Sequence, residues 1–225
     1  MRVPRIQKYD TTLDKEIVEV GDLYFEPKFY DLGKEKDKFK YITTIEKLCR
    51  TSMEYYDLIN YLRVNMGMNF CSFFHKVNKD NFGKTRIRIE IHHEPFPLYD
   101  IVAIILNNRL DNGQSVDMYD VANEVMECHY EGIVGLLPLS VTVHELVHSG
   151  KLFIPLQFID EGFNTFLNRY YTTIKNMDGL TDMLEAKIRL SKRYAENPEE
   201  FIGILKKKYI YVVNKGYDSV PNKIV

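Results

Sequence analysis

The sequence contains no tryptophan, only three cysteines, and no apolar run near the roughly 20 residues that a membrane-spanning helix needs. The cysteines, Cys49, Cys71 and Cys128, are far apart and form neither a CxxC pair nor a disulfide framework. Residues 1–5 lack the apolar segment of a secretory signal. These absences predict a protein of a reducing cytoplasm, with no membrane among its partners.

The sequence also lacks an excess of positive charge, because 30 Lys and Arg stand against 32 Asp and Glu, a net charge of −2. This balance argues against a broadly basic, nonspecific nucleic-acid binder, although a local basic surface stays compatible with it. One basic region stands out, and a solvated helix face is its more common explanation. It comprises Lys187, Arg189, Lys192, Arg193 and residues 206–208.

The 225 residues are enough to bury a core, and 45% of them are hydrophobic. We predict an α+β protein in three parts. Residues 1–80 form an N-terminal elaboration, with a hairpin near Gly21 and a long helix over 43–66. Residues 81–155 form the core, and residues 156–225 add C-terminal helices.

Within the predicted core, strict alternation of isoleucine with charged residues over 85–91 indicates a half-buried strand. Residues 134–139 read as a short apolar strand, which is followed by a turn and then by a helix. Two further helices, near 100–110 and 116–130, are inserted between these two strands.

Four of the six histidines fall into two pairs, His92-His93 and His144/His148. The four-residue spacing of the second pair places both imidazoles on one helical face, as two ligands of a single metal require. The first pair ends the predicted strand, where neighbouring side chains point to opposite faces unless the chain turns. A metal or catalytic site is therefore predicted, and two chemistries compete for it.

The first chemistry is that of an HExxH zinc metallopeptidase. His144 and His148 would bind zinc, and Glu145 would be the general base. A third ligand is needed, and Asp160 and Glu161 are the nearest suppliers. The segment around Glu161 resembles the Glu-Gly-Phe segment of gluzincin metallopeptidases. This interpretation gives His92 and His93 no role.

The second chemistry uses all four histidines. Segments 87–93 and 136–150 resemble the strand, second strand and helix of HNH (ββα-metal) endonucleases. The resemblance implies a ββα-metal core with a helical insertion. It also implies one divalent ion (Mg, Mn, Ni or Zn) held by His92, His144 and His148, with His93 as the general base.

The same resemblance implies hydrolysis of phosphodiester bonds in DNA. Arg86 and Arg88, beside His92 on the outward side of their strand, are the phosphate-binding candidates. It also indicates a bacteriophage-encoded protein, which would act in the host cytoplasm. Gly135 occupies the place where this family usually has its middle Asn. A third alternative is therefore an inactive HNH-fold module that binds nucleic acid or a host or phage protein.

Overall fold

The computed structural model describes residues 4–6, 29–74, 87–160 and 162–198. This part of the chain is a mixed α+β structure, mostly helical, with one two-stranded antiparallel sheet. The predicted α+β class is confirmed at this level. The hairpin predicted near Gly21 lies outside the described residues, and the three-part division of the chain stays a prediction.

In the described part of the chain, four helices precede or separate the two strands, and the remaining helices follow them. Their bounds are α1 Glu35–Thr51, α2 Met53–Val64, α3 Leu98–Asp111, α4 Met118–Tyr130, α5 Val141–His148, α6 Phe163–Arg169, α7 Tyr171–Asn176 and α8 Leu180–Glu196. A 3-10 turn covers Leu156–Phe158. Among the described residues, no helix is both long and apolar enough to cross a membrane.

The long helix predicted over 43–66 is two helices, because the chain breaks at Ser52. Ser52 has an extended backbone, with φ −73° and ψ 150°, and so it ends α1. Its hydroxyl accepts a hydrogen bond from the Tyr55 backbone N–H at 3.2 Å, which caps the start of α2. The apolar stripe continues across the break, and this is why the pattern alone predicted one helix.

The sheet consists of β1, Ile89–His93, and β2, Leu136–Ser140. The strands are antiparallel, with Glu90 opposite Leu139 and His92 opposite Leu137. The helices α3 and α4 form the connection between the strands. Because α5 begins at the residue after β2, its first turn lies beside the sheet.

Two apolar clusters hold these elements together. The larger cluster combines α1 to α4 with Phe166 and Tyr170, and the central residues of α3 are almost fully buried in it. The smaller cluster lies at the sheet and α5, where Leu137, Leu139 and Val143 are its most buried members of those elements. The sheet therefore lies between the helical core and α5.

Candidate metal centre

His92, His144 and His148 come together where β1 faces α5. Each offers one ring nitrogen, and these three nitrogen atoms all lie within 4.8 Å of one another. The centroid of the His92 ring lies 4.9 Å from that of the His144 ring and 5.3 Å from that of the His148 ring. His92 is buried, whereas His148 is exposed, so the cluster is open on the helix side.

A carboxylate orients the His144 imidazole. The Nδ1 of His144 lies 2.5 Å from Oε2 of Glu90 in β1, and because a carboxylate accepts, His144 donates. The neutral ring therefore has its lone pair on Nε2. Arg88, whose side chain is 72% exposed, forms an ion pair with Glu90 at 2.5 Å. This carboxylate–histidine arrangement is the one that commonly supports metal-binding histidines.

The donor atoms suit a small divalent ion such as zinc. The Nε2 atoms of His144 and His148 lie 3.0 Å apart. Two imidazole ligands at tetrahedral angles on one zinc would be about 3.3 Å apart. Burial lowers the pKa of His144, although its hydrogen bond to Glu90 opposes the shift, and burial together with His144 lowers the pKa of His148. Both rings are therefore neutral near pH 7, the form that binds metals.

A second carboxylate, Glu94, lies at the other end of this face of β1. Its Oε2 is 3.5 Å from Nε2 of His92, and both side chains are buried. The other oxygen of Glu94 forms an ion pair with Lys187 of α8. The basic region predicted as a solvated helix face therefore contributes one lysine, Lys187, to an ion pair beside the site.

His93 points away from the cluster, to the opposite face of β1. Its Nε2 lies 2.9 Å from Nε2 of His129 in α4, and the ring of Tyr55 stacks parallel to it. The Nδ1 of His129 donates to the Val125 carbonyl at 2.7 Å, so the neutral His129 ring accepts at Nε2 and His93 donates. Burial lowers the pKa of both, that of His129 to about 4.

The other site residues predicted from the sequence are Glu145, Asp160, Arg86 and Glu161. Glu145 is exposed on α5, and among the described residues its carboxylate has no hydrogen bond or ion pair. Asp160 accepts a hydrogen bond from the Gly162 backbone N–H at 2.9 Å. Arg86 and Glu161 both lie outside the described residues.

Gly135, which occupies the place of the usual middle Asn of HNH endonucleases, has a packing role in this protein. It lies next to β2 and accepts a hydrogen bond from the Glu94 backbone N–H at 3.0 Å. A Cβ at this position would lie 2.7 Å from Ile159 Cγ2 and far inside the contact distance of the Glu94 carbonyl oxygen, at 1.8 Å. An Asn side chain therefore does not fit here.

Glu90, Glu94 and His129 were not among the site residues predicted from the sequence. The first two were detectable, since residues 90, 92 and 94 alternate and so share one face of a strand. His129 carried no such signal, because its contact with His93 joins residues 36 apart in the chain.

Comparison with known proteins identifies the family. A family model for bacteriophage G278-like virion proteins matches residues 5–216. The chain belongs to this family. The predicted bacteriophage origin of this G278-like protein is thereby confirmed. No curated protein and no solved structure matches it.

Proposed function

We propose that this protein is a metal-dependent hydrolase of the HExxH type that cleaves peptide bonds. One observation carries the proposal: β1 and α5 bring a nitrogen atom of each of three histidines within 4.8 Å of one another. His92, His144 and His148 would hold the ion, which leaves a fourth position open, as catalytic zinc sites do. His92 thus takes the place of a third ligand, for which the sequence alone offered Asp160 or Glu161.

The chain's own residues would divide the chemistry among them. A divalent ion at this site would polarise the substrate carbonyl and activate water. Glu145, next to His144 on the exposed side of α5, would accept the proton of the attacking water and return it to the leaving nitrogen. Glu90 would hold His144 in the tautomer that has its lone pair on Nε2.

The HNH-like endonuclease is the second candidate, with DNA as its substrate and a ββα-metal core. It is favoured by the chain order of β1, β2 and α5, since the three candidate ligands lie in the first strand and the helix. The exposed Arg88 beside Glu90 would be its phosphate contact. The orientation of His93 counts against it, because the side chain of this assigned base is buried against His129 on the other face.

The two candidates predict different sensitive residues. The zinc-loaded full chain is assayed for cleavage of labelled casein and for nicking of plasmid DNA. We expect Glu145→Gln to lower proteolysis about 100-fold or more, since positioned general bases contribute about that much. Glu185→Gln, which changes an exposed glutamate of α8, serves as the control and should leave the rate unchanged.

The opposite results would contradict this proposal. If Glu145→Gln cleaved casein at the wild-type rate, Glu145 would not be the general base. Plasmid nicking that is lost in a folded His93→Ala variant that still binds metal would establish the nuclease instead. If neither activity occurs with Mg²⁺, Mn²⁺, Ni²⁺ or Zn²⁺, the protein is a binding module for nucleic acid or a host or phage protein.

A further inference from the structure

Three side chains on one face of β1 and its continuation alternate between carboxylate and imidazole. Glu90, His92 and Glu94 are two residues apart in sequence, so an extended chain directs them to the same side. The face is directed at α5, because Glu90 contacts His144 and His92 packs against both histidines of that helix. Each end of this face thus carries a carboxylate, with a histidine between them.

Glu94 is an unusually buried carboxylate. Only 4% of its surface is exposed, and burial of a charge is costly unless the charge is paired. Lys187 supplies that pairing, because its ammonium group contacts Oε1 of Glu94. The second oxygen, Oε2, lies 3.5 Å from Nε2 of His92. The ion pair with Lys187 thus holds the carboxylate beside the His92 ring.

We propose that Glu94 is a positioning residue for His92, as Glu90 is for His144, and that Lys187 holds Glu94 in place. The inference rests on the proposed function, since it assigns a role beside the same metal site. Glu94 accepts the proton on Nε2 of His92, which leaves the lone pair on the other ring nitrogen. Lys187 makes α8 part of the support of the site.

Metal affinity tests this role without any activity assay. The full chain is stripped of metal, and the dissociation constant for Zn²⁺ is measured by competition with a chelating dye. Partners of metal-binding histidines typically contribute about 10- to 100-fold in affinity. We expect Glu94→Gln to weaken zinc binding by about that factor.

Glu124→Gln is the matched control. Glu124 is likewise a carboxylate in an ion pair, with Arg109, and is partly buried, but it belongs to α4 and contacts none of the three histidines. It should leave the zinc affinity at the wild-type value. An unchanged affinity in folded Glu94→Gln would overturn the positioning role.

Cobalt spectra separate positioning from direct ligation. At saturating Co²⁺, Glu94→Gln should retain the visible absorption bands of the wild type, because the ligands themselves are intact. Altered bands would mean that Glu94 binds the ion itself, and would also overturn the inference. If the wild-type chain binds neither ion, the proposed function fails, and this inference fails with it.

A second variant covers the case in which Glu94→Gln does not fold. Glu94→Leu combined with Lys187→Met removes both charges, so no unpaired ion stays buried. The double variant should show the same loss of zinc affinity. Wild-type affinity in that protein would exclude a role for Glu94.

Discussion

His129 shows how burial in the helical core fixes the state of one ring. Its Nδ1 donates to the Val125 carbonyl and its Nε2 accepts from His93, so the neutral imidazole has a partner at each nitrogen. A proton added to this ring would put a second hydrogen on the atom that accepts from His93. Burial of the ring lowers the pKa of His129 to about 4.

This depressed pKa predicts a loss of stability in acid. Below about pH 6.5, the ordinary pKa of histidine, the unfolded chain binds a proton at His129 that the folded chain does not bind until about pH 4. The free energy of unfolding should therefore decrease as the pH falls through this window, by up to about 1.4 kcal/mol per pH unit from this group.

Urea denaturation at several pH values between 7.5 and 4.5 would measure that slope. His129→Leu removes the titrating group, and its free energy of unfolding should depend less on pH by about one proton. A variant with the same slope as the wild type would mean that His129 titrates normally in the folded protein.

Among the structural elements, the connection from α4 to β2 depends on a residue without a side chain, Gly135. At Gly135 a methyl group would collide with the Glu94 carbonyl oxygen and Ile159. The Glu94 backbone cannot move away without breaking its hydrogen bond to Gly135, which continues the ladder between the strands. This residue therefore allows the end of β1, the start of β2 and the segment near Ile159 to meet.

We expect Gly135→Ala to lower the free energy of unfolding by about 3 kcal/mol, the upper part of the usual cost of overpacking. Thermal or urea denaturation would measure it. Gly33→Ala is the control, because its added Cβ would meet only the Asp31 side chain, at 3.3 Å. Wild-type stability in Gly135→Ala would mean that the end of β1 moves away from residue 135 at no cost in the free energy of unfolding.

The elements of the site could be predicted from the sequence because the signals are local. Alternation along β1 predicted opposite faces for His92 and His93, and the four-residue spacing predicted one helical face for His144 and His148. What joins these elements is not local. The contact between Glu90 and His144 spans 54 residues and that between Glu94 and Lys187 spans 93, distances at which no periodicity carries information.

In the molecule as a whole, β1 connects the two apolar clusters. Its His93 side chain reaches His129 and Tyr55 beside the helical core. Its His92 side chain lies opposite Leu137 of the smaller cluster and faces α5. An ion bound by His92, His144 and His148 would therefore add a further link between the strand and α5, beside the Glu90–His144 hydrogen bond and the apolar packing of Val143.

This link predicts that metal binding stabilises the whole fold. A ligand that binds only the folded state adds about 2.7 kcal/mol at a free concentration of 100 times its dissociation constant. Urea denaturation of the metal-free chain, with and without added Zn²⁺, would measure the increase.

His148→Ala should abolish the increase and yet change the metal-free stability by only about 0.5 kcal/mol, because His148 is exposed. Ser149→Ala, at the neighbouring exposed position, should retain the full increase. An equal increase in His148→Ala would place the stabilising ion elsewhere and remove the link between α5 and β1.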